Sequence, residues 1–298
     1  MEFCEKILKK ISARFNEEEN RILRGLEKSV SELSARLRTV EYVANQNNLI
    51  LSQIMQNQIL LSPRFPRDAA VKLCAEAPLA LDSNDTLFPE STLEGVARKP
   101  RFTNKIKEIF GESASLLDIG CGGGGVVYDA LASGVPPYGV DGSDENKKLQ
   151  SGYWSVIPGN LLTADATKPF HFEKGGQRIK FKVVSSWECL EHIPEGALAG
   201  FLDNVFANLD DGGYFIGSIS RMPYEDREKG VVYHVTLKDK EWWKAKFEDS
   251  NLEFLEISET PFIVSDFCRG VGLGWQDAHT NYLKNKDDGI LFVAKKKQ

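Results

Sequence analysis

No stretch of this 298-residue chain approaches the roughly 20 consecutive apolar residues that a membrane-spanning helix requires, so no such helix is expected. The opening residues, Met1 to Lys10, mix acids with lysines and lack an apolar central segment. They do not read as a secretory signal, and the cytoplasm is the expected compartment. Cysteine is sparse. Cys4, Cys74, Cys121, Cys189 and Cys268 are an odd, scattered set with no C-x-x-C pair, which supports neither a disulfide framework nor a zinc knuckle. Positive charge is also short: 37 Lys and Arg face 43 Asp and Glu, a net charge of -6. That balance lacks the electrostatic footprint of a protein whose main partner is a nucleic-acid backbone, and it disfavours polyanionic partners generally.

Proline is missing from the first 62 residues, and what stands there is a heptad pattern. Positions alternately three and four apart read Leu23, Leu26, Val30, Leu33, Leu37, Val40, Ala44, Asn47, Leu51, Ile54, Gln58 and Leu61. This is the a/d seam of a coiled coil. Leu8, Ile11, Phe15 and Ile22 keep the spacing one residue out of phase, which places a slip in register near Asn20 to Leu23. Residues 1–61 therefore read as an oligomerisation helix pairing with a second copy, the other option being an amphipathic helix folded back on its own domain. Residues 62–100 are broken by Pro63, Pro66, Pro78, Pro89 and Pro100 and read as a linker or lead-in, with a short helical piece expected over Ala69 to Glu76. The remaining length suits one α/β domain, 101–298.

Within it, Leu116 to Ile119 is an apolar strand running into Gly120-Cys121-Gly122-Gly123-Gly124-Gly125, with a helix from Val126. Glycine suits such a turn because it accepts positive φ and lets a ligand approach the backbone. The spacing Gly120-x-Gly122-x-x-Gly125 also satisfies the dinucleotide fingerprint, so a nicotinamide or flavin enzyme competes for the same residues. Acids at strand ends separate the two. Asp118 precedes the loop, where it would repel a pyrophosphate and welcome an ammonium. Asp141 ends a second strand about 20 residues on, the separation expected of a carboxylate that accepts ribose hydroxyls. Asp165 ends a third, where it suits an adenine amino group. The later alternation of Phe181 to Ser186, an apolar-faced helix through Phe201 and Leu209, Tyr214 to Ile219, and a closing pair Leu252 to Ile257 with Gly289 to Ala294 favours a mostly parallel sheet.

In order, LLDIGCGGGG, YGVDGSD, LLTADAT and WECLEHIPE resemble the motifs of class I S-adenosylmethionine-dependent methyltransferases over about residues 101 to 298. The resemblance implies an α/β, Rossmann-like, seven-stranded, mostly parallel sheet with helices on both faces and a reversed final strand. It implies S-adenosyl-L-methionine as cofactor. Methionine-moiety contacts are expected near Asp118, Gly120, Cys121, Gly122 and Gly124, ribose contacts from Asp141 with Gly142 and Ser143, and adenine contacts from Asp165 and Ala166. Trp187 is expected either on the pocket wall or packed in the core.

Methyl transfer is an in-line displacement, so the protein aligns two reactants and handles one proton. Glu188-x-x-Glu191-His192, with His234 from a later loop, offers oxygen and nitrogen ligands to Mg or Mn. The motif resembles that of metal-dependent O-methyltransferases, where the ion grips vicinal hydroxyls. In the metal-free alternative His234 is the general base, with His192 and Glu191 as its companions. The expected acceptor is a hydroxylated small molecule or a glycan sugar; an RNA or protein acceptor reached through the coiled coil, or a non-catalytic scaffold, are the competing readings.

Overall fold

The computed structural model describes residues 21–26, 28–31, 33–34, 36–37, 71–89, 93, 96–270 and 287–297. The chain divides into two compact units, Met1–Asn57 and Gln58–Gln298. In the first, the described residues between 21 and 37 are helical. Their seam positions Leu23, Leu26, Val30, Leu33 and Leu37 are 50% to 63% exposed. The seam from Val40 to Leu61 and the out-of-phase Leu8, Ile11 and Phe15 lie outside the described residues; of the slip expected near Asn20 to Leu23, Arg21 to Leu23 are described, and they are helical.

The second unit is built on a seven-stranded sheet. Its strands are β2 (Leu116–Ile119), β3 (Pro137–Asp141), β4 (Leu161–Thr163), β7 (Phe181–Trp187), β8 (Leu209–Ser220), β11 (Leu252–Leu255) and β12 (Gly289–Lys296). They lie in the order β11-β12-β8-β7-β2-β3-β4. β8, β7, β2, β3 and β4 run parallel, while β12 is antiparallel to both β8 and β11. The reversed final strand and the closing pair are as the sequence suggests. From β2 the chain steps outward through β3 to β4, then returns to the other side of β2 as β7. The reversal opens a crevice at the carboxyl ends of β2 and β7, where ligands bind in open α/β sheets.

Period-two alternation along each strand feeds two cores. Leu117, Ile119, Val184, Phe215, Ile219 and Phe292 face one side, with Phe201, Leu202 and Val205 of helix α4 (Leu198–Asn208) and Trp243 and Phe247 of α5 (Lys240–Asp249). Leu116, Val183, Ile216 and Val293 face the other, against Phe102 and Ile106 of α1 (Pro100–Phe110) and Val126 and Ala130 of α2 (Gly125–Ala132). Helices thus cover both faces; a short α3 (Glu145–Leu149) follows β3, and a small pair, β9 (Glu225–Asp226) and β10 (Val231–Val232), follows β8. Pro100 opens α1 at its first position, where its missing N–H costs nothing.

The lead-in departs from expectation. Val71–Ala75 is a strand, β1, and not a helical piece; it pairs antiparallel with β5 (Phe170–Lys174), which pairs in turn with β6 (Gln177–Ile179). Val71 and Leu73 pack against the core while Lys72 points outward, a period of two that no helix could satisfy. Among the described residues no helix is long and apolar enough to cross a membrane.

α4 also fixes the loop after β4. Asn204, buried, donates to the carbonyls of Ala166 (2.8 Å) and Lys168 (2.7 Å) and accepts from the Phe170 N–H. One turn earlier, Gly200 lets the helix backbone sit directly on the Thr167 carbonyl, with which a Cβ would collide. In an open helix Gly→Ala gains about 1 kcal/mol; here we expect Gly200→Ala to lose up to about 2 kcal/mol net, because overpacking against backbone costs about 1–3 kcal/mol. Gly196→Ala, which meets nothing within 4 Å, is the control. Urea midpoints check this, and a stabilised Gly200→Ala would contradict it.

Candidate active site

The glycine turn after β2 is shaped by what surrounds it. Gly120, Gly122 and Gly124 all have positive φ, and a Cβ on Gly120 would collide with the Cys189 side chain. Gly120 and Cys121 donate their N–H groups to the Val140 carbonyl, which ties the turn to β3. Gly120, Cys121 and Gly122 line a cavity of about 750 Å³ at the crevice, within the size range of small-molecule sites. Gly124 is not on its wall. It caps the start of α2 and packs on Leu161.

Three strand-end acids open onto the same cavity. Asp118, at β2, accepts from Ser185 Oγ at 2.5 Å and, though it lines the cavity, is only 2% exposed. Burial, opposed by that hydrogen bond and by Lys99, pushes its carboxyl up to about 7. Asp141, at β3, takes the N–H of Gly122 on one oxygen (2.7 Å) and of Ser143 on the other (2.9 Å). It therefore clamps the glycine turn as well as facing the cavity with Gly142 and Ser143; burial raises its pKa against these two hydrogen bonds. Asp165, after β4, accepts from the Thr167 N–H and Oγ on one oxygen and lines the cavity with Ala166. Trp187 does both things expected of it: it borders the cavity, and it is only 6% exposed, edge-on to Phe102 at 5.0 Å. Lys99, itself buried, lies 3.9 Å from the centre of its ring.

Beyond β7 the chain turns through Glu188, a non-glycine residue at φ 51°, into Glu191 and His192. Such strain is stored where the surroundings hold it in place. Glu191 is fully buried. Its Oε1 accepts the Ser220 N–H at 2.9 Å, and its Oε2 has no hydrogen-bond partner among the described residues. Burial, then Glu188, drives its pKa well above the ordinary value. The Glu191 carbonyl accepts the N–H groups of Val235 and Thr236, and this brings the His234 loop alongside. His192 and His234 sit with ring centroids 4.7 Å apart at 74°. Ligating atoms of Glu191, His192 and His234 all lie within 4.8 Å of one another. Glu188 borders the same cavity but falls outside this trio, its Oε1 accepting from Ser218 Oγ at 2.5 Å.

The imidazole tautomers follow from their partners. His192 Nδ1 meets Asp85 Oδ2 at 2.8 Å, and His234 Nδ1 meets the Met222 carbonyl at 2.6 Å. Both partners only accept, so in each neutral ring Nδ1 carries the proton and Nε2 keeps its lone pair. Burial and His192 lower the His234 pKa. A second cluster, Cys74, His171 and Glu173, lies on the β1–β5 pair, but Arg178 places a cation 3.2 Å from His171 Nδ1 and His171 is already paired with Glu173.

Several wall residues carried no sequence signal. Ala80, Ser83, Asp85 and Thr86 come from the supposed linker, around the helical turn Asn84–Leu87. The Ala80 N–H and Thr86 Oγ donate to the Gly142 carbonyl, and Asn84 reaches Val232. Ser185, Ser218, Ser220 and Arg269 were equally silent; only their neighbours in space give them a role.

Residues 93–255 match the family described as Methyltransferase domain, more than half of the chain. The chain belongs to that family. It is a class I S-adenosylmethionine-dependent methyltransferase, with the sheet order and glycine turn of that class. A curated relative, a ubiquinone biosynthesis O-methyltransferase from Paramagnetospirillum magneticum, is 30% identical over 111 residues, 36% of this methyltransferase and only 41% of the relative. Solved structures similar to it include a TehB-like S-adenosylmethionine-dependent methyltransferase from Corynebacterium glutamicum (14% identity, TM-score 0.42, covering 66% of this chain and 88% of that one). Another, from Clostridium acetobutylicum, has 14% identity and a TM-score of 0.45, covering 67% and 92%.

The His234 imidazole of this methyltransferase is expected to titrate below the ordinary histidine value of about 6.5. NMR titration, with the resonance assigned through His234→Gln, checks this; a midpoint above 6.5 would contradict the desolvated setting described.

Proposed function

We propose that this methyltransferase methylates a hydroxyl oxygen of a small hydroxylated acceptor or sugar, with a divalent cation held by Glu191, His192 and His234 and completed by Glu188. The observation that carries the reading is the unpartnered Oε2 of fully buried Glu191 beside two imidazoles whose Nε2 atoms keep their lone pairs. A buried acid lacking a partner is costly, and a cation supplies one. Asp85 and the Met222 carbonyl orient the two rings from behind, the usual arrangement around metal-bound histidine. The name of the curated relative, an O-methyltransferase, points the same way.

On this reading Asp118 receives the α-ammonium of S-adenosylmethionine, with Gly120, Cys121 and Gly122 alongside; Asp141 receives the ribose hydroxyls, and Asp165 the adenine amino group. The donor set fits the group: carboxylates at successive strand ends meet one cation and several N–H and O–H donors. S-adenosylmethionine, when bound, supplies an electrophilic methyl on sulfur, and a divalent ion supplies Lewis acidity toward an acceptor hydroxyl. The transfer breaks one S–C bond, forms one C–O bond and frees one proton. Without the ion, His234 Nε2 would take that proton, because its lowered pKa keeps it neutral near pH 7.

Manganese titrations followed by electron paramagnetic resonance separate the two. We expect one bound Mn²⁺ per chain, with affinity reduced at least about tenfold in Glu191→Gln and in His234→Ala. Wild-type protein that binds S-adenosylhomocysteine but no Mn²⁺ would contradict the metal reading and leave His234 as general base.

The reading includes self-association through the N-terminal seam, supported by its heptad spacing and the exposure of its first five positions. Leu26→Asp with Leu33→Asp in the full chain is expected to reduce the mass in light scattering to that of one chain. An unchanged mass would contradict it.

A further inference from the structure

Charge around the cavity is one-sided. Asp85, Asp118, Asp141, Asp165 and Glu188 all border it, and among the described lining residues the only lysine or arginine is Arg269. An acid-rich pocket suits the ammonium end of an amino acid. It repels the carboxylate carried on the same carbon, so a zwitterion cannot settle there without a cation of the protein's own.

Arg269 stands at the right end. Its segment is stitched to the residues before α1: Lys99 Nζ donates to the Phe267 carbonyl at 2.7 Å, and the Gly270 N–H donates to the Arg98 carbonyl at 2.9 Å. Phe267 packs on Trp187, at the tip of β7, with ring centroids 6.1 Å apart. β7 neighbours β2, which carries Asp118 one residue before its end, whereas Asp141 ends β3 and Asp165 follows β4, further along the sheet. Lys99, between these groups, is pushed down to about 7, first by burial and next by the positive charge of Arg269. Lys99 is spent on Phe267 and Trp187. Arg269 has no hydrogen bond or ion pair with any described residue, and its guanidinium is free to take a carboxylate through paired N–H donors.

We propose that Arg269 binds the α-carboxylate of the cofactor's methionine moiety, opposite Asp118, and so selects nucleosides that carry an intact amino-acid end. This rests on the cofactor reading above, and it gives a role to a residue outside every sequence motif.

The test compares two ligands by calorimetry on the full chain. S-adenosylhomocysteine carries the amino-acid end; 5′-methylthioadenosine keeps the nucleoside and sulfur and lacks that end. Arg269→Gln is expected to weaken S-adenosylhomocysteine binding roughly 10- to 100-fold, as loss of a charged hydrogen-bonded partner does, while 5′-methylthioadenosine binding changes less than about twofold. Arg269→Lys should restore part of the loss. The unchanged ligand also reports that the variant is folded. Equal weakening of both ligands, or no weakening of either, would overturn the assignment. A wild-type chain that binds neither would overturn it at its root, by removing the cofactor reading.

Discussion

Carboxylates crowded at the dry tips of parallel strands are the constraint on which this molecule turns. Asp118 and Asp141 are almost fully buried, and Glu191 is completely so. Each has its pKa raised, with desolvation the largest cause in every case. Like charges brought together in a medium of low dielectric constant repel strongly, and a protein that keeps them must gain something by it. The gain is a site starved of positive charge. On the proposed reading its two ends take different cations: near the glycine turn a sulfonium nucleoside with an ammonium, and near His192 and His234 a divalent metal.

The fold enforces this crowding through backbone more than through side chains. Parallel strands leave their carboxyl ends side by side, and the reversal of strand order between β2 and β7 splays the following loops apart. The glycine turn hangs from the Val140 carbonyl and is gripped by Asp141 from beneath. Across the cavity the Glu191 carbonyl fastens the loop bearing His234, so one residue both offers a carboxylate and positions its neighbour. Asp85 reaches in from the segment before the domain and sets the His192 ring. The glycine-turn side and the His234 side of the cavity are thus tied together by the 77–89 stretch, whose backbone and side chains bond to Gly142 at one end and to Val232 and the Tyr233 hydroxyl at the other.

Much of the glycine-turn half of the cavity was legible in the chain because it is local. A strand, a glycine turn and an acid two residues earlier form one continuous string, and the recurrence of acids at the next two strand ends repeats the signal. The Glu188, Glu191 and His192 grouping is similarly compact; the approach of His234 was an expectation that the Val235 and Thr236 hydrogen bonds explain. What the sequence hid is long-range. The strand Val71–Ala75 exists only because Phe170–Lys174, about 100 residues later, offers it an edge, and a five-residue stretch has no strong preference of its own. Asp85, Ser185 and Arg269 look like ordinary polar residues until folding sets them against His192, Asp118 and the cavity.

Calorimetric titration of the wild-type chain with S-adenosylmethionine and, separately, with a nicotinamide dinucleotide tests the central claim most directly. The account predicts saturable binding of the sulfonium nucleoside and none of the dinucleotide, whose pyrophosphate would face Asp118. Tight dinucleotide binding with no heat from S-adenosylmethionine would contradict it.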